Sequence, residues 1–171
     1  KDENKKLYKI KNLYTTNGAC MLFRKSVIEK VWLFDENFVA YFEETDFCHR
    51  VWLAVYTICY APSAIIFHKI GGTSNKMNNG FIQFHSFKNR INSYIKNLGG
   101  LELIKILPLH IVLCEIAAVV FIVRGRYDLF FAINKSFYWN MQNINSTLQK
   151  RKMIQTKIRT IKDTDLMPVI K

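Results

Sequence analysis

The residues of this chain best suited to chemistry are carboxylates. Five of its thirteen acidic residues (Asp35, Glu36, Glu43, Glu44 and Asp46) lie between positions 35 and 46, although the chain carries a net charge of +12. Phe34, Phe38, Tyr41, Phe42 and Phe47 are interleaved with them. Apolar neighbours desolvate a carboxylate and raise its pKa, which is how a general base is tuned to work near neutral pH. The plainer reading is an acidic helix N-terminus favoured by the macrodipole, a common arrangement. His68 closes the apolar run that begins at Ala64, just before Gly71-Gly72. A lone histidine is more often structural, yet a strand end opening into glycines is a frequent place for a ligand-binding group. Asp163-Thr164-Asp165 has the D-x-D spacing that can hold a divalent metal, but it stands in a basic tail with no buried strand behind it and reads as a solvated turn. Asp35-Glu36-Asn37 does not open an EF-hand loop, because the sixth position is Ala40 rather than glycine. The Gly71-Gly72 loop is too short for a phosphate-binding fingerprint.

The elements that must position these groups follow from composition and spacing. A chain of 171 residues, half of them apolar, is long enough for one domain with a real core and an appendage. After Asp46 there are seventeen Lys/Arg and five Asp/Glu, so an anionic partner is expected. The charge is diffuse and no nucleic-acid motif is present, which argues against nucleic acid and for a phosphorylated substrate or an acidic membrane face. Cys20, Cys48, Cys59 and Cys114 are widely spaced, and three lie in apolar runs, so free buried thiols are expected and a zinc site is not. Lys1 to Lys6 lacks the apolar stretch of a signal peptide, and the opening without Met reads as the continuation of a longer chain.

The spacing predicts a short helix over 24–31, with Ser26 as its N-cap and Glu29 completing a capping box. A second helix is expected over 44–55, capped by Thr45 or Asp46, followed by a strand over 56–60 that Pro62 stops. Residues 71–75 and 78–80 read as loops. Phe81 to Leu98 is an aromatic and basic helix. From Ile106 to Val123 only His110 and Glu115 are polar. A helix starting at Pro108, a favoured first position, would be about 24 Å long, short for a bilayer core of about 30 Å. Glu115 near its middle is costly in lipid. A partly inserted or interfacial hairpin flanked by Arg90, Lys96, Lys105, Arg124 and Arg126 fits best, with a buried helix of a soluble protein as the alternative. The division is therefore 1–80, 81–126 and a basic helical tail over 127–171.

Five landmarks carry a resemblance: Gly18-Ala19-Cys20-Met21-Leu22-Phe23-Arg24-Lys25, Phe34-Asp35-Glu36-Asn37-Phe38, Tyr41 to Arg50, Tyr60-Ala61-Pro62-Ser63-Ala64, and His68 with Ser74. In this order and at these spacings they resemble the family 2 glycosyltransferases of GT-A fold, most closely the rhamnosyltransferase-like members, over about residues 15 to 75. The implied fold is α/β: the C-terminal half of a Rossmann-like GT-A domain, here residues 1–80, followed by an α-helical membrane-associated region. The implied chemistry is inverting transfer of a sugar such as rhamnose from a nucleotide-sugar donor to a lipid-linked or cell-surface glycan acceptor, at the cytoplasmic face of a membrane rich in anionic lipids.

By the same resemblance Glu44 takes the position of the base, where aspartate is commoner. Glu43 and Asp46 would orient it or hold the helix start, and Arg50 would pair with one of them. Asn17, Gly18, Arg50, Gly72 and Ser74 would contact substrate, and His68 would approach a divalent metal, Mg or Mn, whose main ligands belong to an upstream half with no counterpart in these residues. The isolated chain is accordingly expected to be inactive. Trp32-Leu33 stands where the family has Gly-Gly, and Val55 where it has a glycine, so the backbone is expected to differ there. The competing readings are a non-catalytic remnant or split subunit acting as a membrane-associated interaction module, and a basic binder of anionic lipid with no sugar chemistry.

Overall fold

A computed structural model describes residues 11–69 and 77–170. The chain is mostly helical, and the expected α/β architecture is not what forms. The strand pairing among the described residues is one antiparallel ladder, β1 (Lys11–Asn12) against β2 (Cys59–Tyr60), with Lys11 opposite Tyr60 and Asn12 opposite Cys59. The strand expected over 56–60 is cut short for a local reason. The Val55 and Tyr56 amides donate to Trp52 and Val51 carbonyls, closing the preceding helix instead of joining a ladder. Ala64 to His68 is irregular and exposed rather than a strand.

Two short helices flank the acidic stretch. α1 (Lys25–Val31) starts at Arg24 without a side-chain cap, so Ser26 sits inside the helix and the capping box does not form. α2 (Glu43–Leu53) carries Glu43, Glu44 and Asp46 in its first turn and Arg50 in its last, the arrangement the macrodipole favours. Neither Thr45 nor Asp46 caps it. The residue before the helix is Phe42, with φ 72°. Val27, Val31, Phe47, Val51, Trp52 and Leu53 form a core that the far C-terminal segment completes with Ile154, Ile158 and Leu166. Cys48 is buried there, whereas Cys20 and Cys59 are exposed.

α3 (Asn79–Asn97) is the beam on which everything else rests. Asn78 caps its start, accepting from the Gly80 amide at 2.7 Å. Its buried face is largely polar: His85, Lys88, Asn89, Asn92, Ser93, Lys96 and Asn97 are buried together with Ile91 and Ile95. α4 (Gly100–Val123), α5 (Tyr127–Gln142) and α6 (Ile144–Met153) follow, then a π-helical turn over Ile154–Ile158 and α7 (Asp163–Ile170). The basic tail is not simply solvated. Arg151 donates to the Ile95 and Leu98 carbonyls, Gln155 to those of Lys96 and Asn97, and Arg159 to that of Asn97. These donors satisfy the orphan carbonyls at the C-terminus of α3. Asp163 is buried, bonded to the Gly99 amide at 2.6 Å and paired with Arg159 at 2.9 Å, so the D-x-D is a helix start that locks the α3–α4 corner.

α4 begins eight residues before the expected start, with Pro108 inside it. Its 24 residues span about 36 Å, enough to cross a bilayer core of about 30 Å. Cys114 and Ala118, one turn apart, are its buried residues; they pack on Ile133 of α5 with Phe87, Phe121, Phe130 and Phe137 around them. Leu101, Ile104, Leu109, Val112, Leu113, Ile116, Val119 and Val123 face outward. That exposure does not fit the buried helix of a soluble protein. α4 is one helix long and apolar enough to cross a membrane.

Candidate functional site

The three carboxylates at the head of α2 have different surroundings, set by the turn before them and by α3. Tyr41 and Phe42 both hold the left-handed region, at φ 66° and 72°. Two consecutive aromatic residues in that region are strained, and strain of this kind persists only where the surroundings impose it. α3 imposes it. The Asn89 amide nitrogen donates to the Ala40 and Tyr41 carbonyls at 2.8 and 2.6 Å, and Lys88 Nζ donates to the Asn37 carbonyl at 2.6 Å.

Asp46 is fully buried and committed to structure. Its carboxylate lies 3.1 Å from Arg50 and 3.2 Å from Lys96, and it accepts from Asn97 at 2.8 Å. Burial alone would raise its pKa, but the two cations outweigh burial and hold it well below the usual carboxylate range. Arg50 is equally committed: beyond Asp46, its guanidinium donates to the carbonyls of Val31, Trp32 and Leu33, closing the end of α1. With only 3% of its side chain exposed, Arg50 is not free to bind substrate. Asp35 completes the network, 2.5 Å from both Lys96 and Lys150, and is likewise held low against the effect of burial, chiefly by Lys96.

Glu44 differs from both. It is half-buried, and burial raises its pKa, with the neighbouring Glu43 charge adding to the rise against a hydrogen bond from its own backbone amide. No ion pair engages it among the described residues. The Asn17-Gly18 turn sits against it. Asn17 Oδ1 accepts from the Ala19 amide at 2.9 Å, and a Cβ placed on Gly18 would lie 3.9 Å from the Glu44 Cβ. Glu43 Oε2 is buried and without a hydrogen-bond partner. A cavity of about 590 Å³ is walled by Thr16, Cys20, Phe23, Phe47, Cys48 and Tyr56; none of the three carboxylates lines it.

The structure therefore brings Glu43, Glu44, Asn17 and Gly18 together, and gives Asp46 and Arg50 to the scaffold. His68 is exposed and makes no hydrogen bond to any of the carboxylates. Gly72 and Ser74 lie outside the described residues. Among the described residues no group of three His, Cys, Asp or Glu could hold a metal ion, so His68 has no companions there for the divalent metal that the resemblance implies. Sequence reasoning missed Lys88, Asn89 and Lys96. Their signal was the placing of Lys88, Asn89, Asn92, Lys96 and Asn97 among the apolar positions of one helix face, a spacing that a solvated basic helix has no need to keep.

Trp32 and Val55 have positive φ values of 60° and 63°, in the range that favours glycine, although neither residue is glycine. No family model, curated protein or solved structure matches this chain, and its functional reading rests on the site's own geometry.

Proposed function

We propose that the protein is part of an inverting glycosyltransferase acting at a membrane, with Glu44 as the general base. The observation that carries this reading is the contrast within the acidic trio. Asp46 is neutralised by Arg50 and Lys96, while Glu44 is half-buried, unpaired and raised in pKa behind a turn held in strain. A carboxylate raised in this way holds a proton more readily than an ordinary one, which is the direction a general base requires.

In the proposed step Glu44 accepts the proton of an acceptor hydroxyl as that oxygen forms its bond to the anomeric carbon of a nucleotide-activated sugar. The bond from that carbon to the diphosphate breaks, and the nucleoside diphosphate leaves with the electron pair. Glu43 keeps the base proton-seeking by its charge, and the Asn17-Gly18 turn borders the acceptor. The exposed apolar face of α4, with Arg124 and Arg126 at its end, supports a station at a membrane with anionic headgroups; the cytoplasmic face is part of the proposal. A second reading, a non-catalytic membrane-associated module, draws on the lack of a metal-holding group among the described residues.

The test is transfer of labelled sugar from nucleotide-sugars into lipid-extractable glycan by membranes of host cells carrying Glu44→Gln. A loss of about a hundredfold or more is expected, the scale of general-base catalysis, with Asp165→Asn as an exposed control. Undiminished transfer removes Glu44 from the role and leaves the module reading.

A further inference from the structure

Arg90 is the one basic side chain on the packed length of α3 that has no polar partner among the described residues. Lys88 is bound to the Asn37 carbonyl, and Lys96 to Asp35 and Asp46. Arg90 makes no ion pair or hydrogen bond to the described residues, and its Nε is buried without a partner. Its guanidinium lies over the ring of Phe42, 5.4 Å from the centroid. A cation–π contact offsets only part of the cost of taking a guanidinium out of water, so an anion at this point would be favoured.

The surroundings indicate which anion. Phe42 directly precedes the Glu43-Glu44 pair. Its ring meets Tyr94, one helical turn beyond Arg90 on the same face, at 6.3 Å, and Tyr94 meets His110 of α4 edge-on at 5.2 Å. Arg90 thus stands between the carboxylate-bearing turn on one side and the apolar helix α4 on the other. The Tyr94 hydroxyl makes no hydrogen bond to the described residues and is free to act as a second donor. The forked guanidinium matches the oxygens of a phosphate bidentately, and α4 offers hydrocarbon a largely apolar surface that the exposed Glu115 interrupts.

We propose that Arg90, assisted by Tyr94, binds the phosphate of a lipid phosphate whose hydrocarbon lies along α4, placing its head beside the Glu43-Glu44 turn. The site's role as the acceptor seat rests on the glycosyl-transfer reading above; the binding itself does not. Arg90 is then a binding residue, set so that a sugar carried on the phosphate reaches Glu44 from the membrane side.

The experiment measures binding of the full chain to phosphatidylcholine vesicles that contain either a polyisoprenyl phosphate or phosphatidylglycerol at equal charge, with inorganic phosphate as a soluble competitor. The wild type is expected to prefer the polyisoprenyl phosphate vesicles by about tenfold, a difference that a specific charged contact readily supplies. Arg90→Gln is expected to abolish that preference at an unchanged thermal midpoint. Arg124→Gln, at the end of α4, is expected to weaken binding to both vesicles alike. If Arg90→Gln fails to fold, Arg90→Lys decides: it keeps the charge, loses the fork and must lose most of the preference. Equal binding of the two lipids by the wild type, a preference retained in folded Arg90→Gln or Arg90→Lys, or displacement by inorganic phosphate as effective as by the lipid would each overturn the proposal. Since the readout is binding, it fails independently of the loss of transfer expected for Glu44→Gln.

Discussion

Lys96 Nζ lies 3.2 Å from the Asp46 carboxylate, with 2% of the lysine side chain and none of the aspartate exposed to solvent. The same nitrogen reaches Asp35 at 2.5 Å and lies 4.5 Å from the Phe38 ring centroid, so one lysine on α3 ties the start of α2 to the turn after α1. Removing one partner of such a buried network leaves charges uncompensated. Lys96→Met is therefore expected to cost about 3 kcal/mol or more in urea unfolding. Lys105→Met, which breaks an exposed pair with Glu102, should cost well under about 1 kcal/mol. Comparable losses for the two would show that the network is not what holds the carboxylate turn in place.

Val55 is a β-branched residue at φ 63° with 62% of its surface exposed. Val55→Gly relieves the left-handed strain and gives up little buried apolar area. The expected result is a gain of about 1 kcal/mol, seen as a higher thermal midpoint, the reverse of the usual effect of a glycine. A loss would show that the valine makes contacts worth more than its strain.

His49 is buried on α2, with its Nδ1 2.9 Å from the Tyr14 hydroxyl and its Nε2 unpartnered. Burial lowers its pKa to about 4. The folded protein thus keeps His49 neutral between about pH 6.5 and 4, while the unfolded chain takes up a proton near 6.5. Stability is expected to fall by up to about 3 kcal/mol as pH drops through that window, and not to fall above it. A further loss follows below about pH 4, where the unfolded chain protonates Asp35 and Asp46, which the folded protein keeps ionised beside Lys96. His85 on α3 is lowered by burial to about 4 as well and contributes over the same window as His49. Urea titrations at stepped pH separate the parts: His49→Gln should remove its share of the upper fall, His85→Gln the rest, and neither should change the lower one.

The sequence showed the acidic cluster, the helix that presents it and the long apolar segment, because each is encoded locally by residue type and period. Glu44 and Asp46 could not be told apart that way. They stand two positions apart in similar company, and what separates them is Lys96 and Asn97, some fifty residues on. Proline is at home in a first turn, so the sequence points to Pro108 as the start of α4; the helix begins at Gly100, beside the Gly99 amide that Asp163, far along the chain, accepts from. The expected sheet failed at Val55 and Tyr56, whose amides turn back to α2. In each case a distant or terminal hydrogen bond decided the matter, and periodicity carries no record of such bonds.

Asn89 and Lys88 grip the loop by the carbonyls of Asn37, Ala40 and Tyr41, atoms every amino acid possesses. The helix therefore specifies where the chain goes without specifying which side chains ride on it. Val39 and Ala40 are open to wide replacement, whereas Lys88 and Asn89 are not. A selection scored for folding should find a variable loop facing an invariant helix, and new side chains can be grafted onto that loop without disturbing its path.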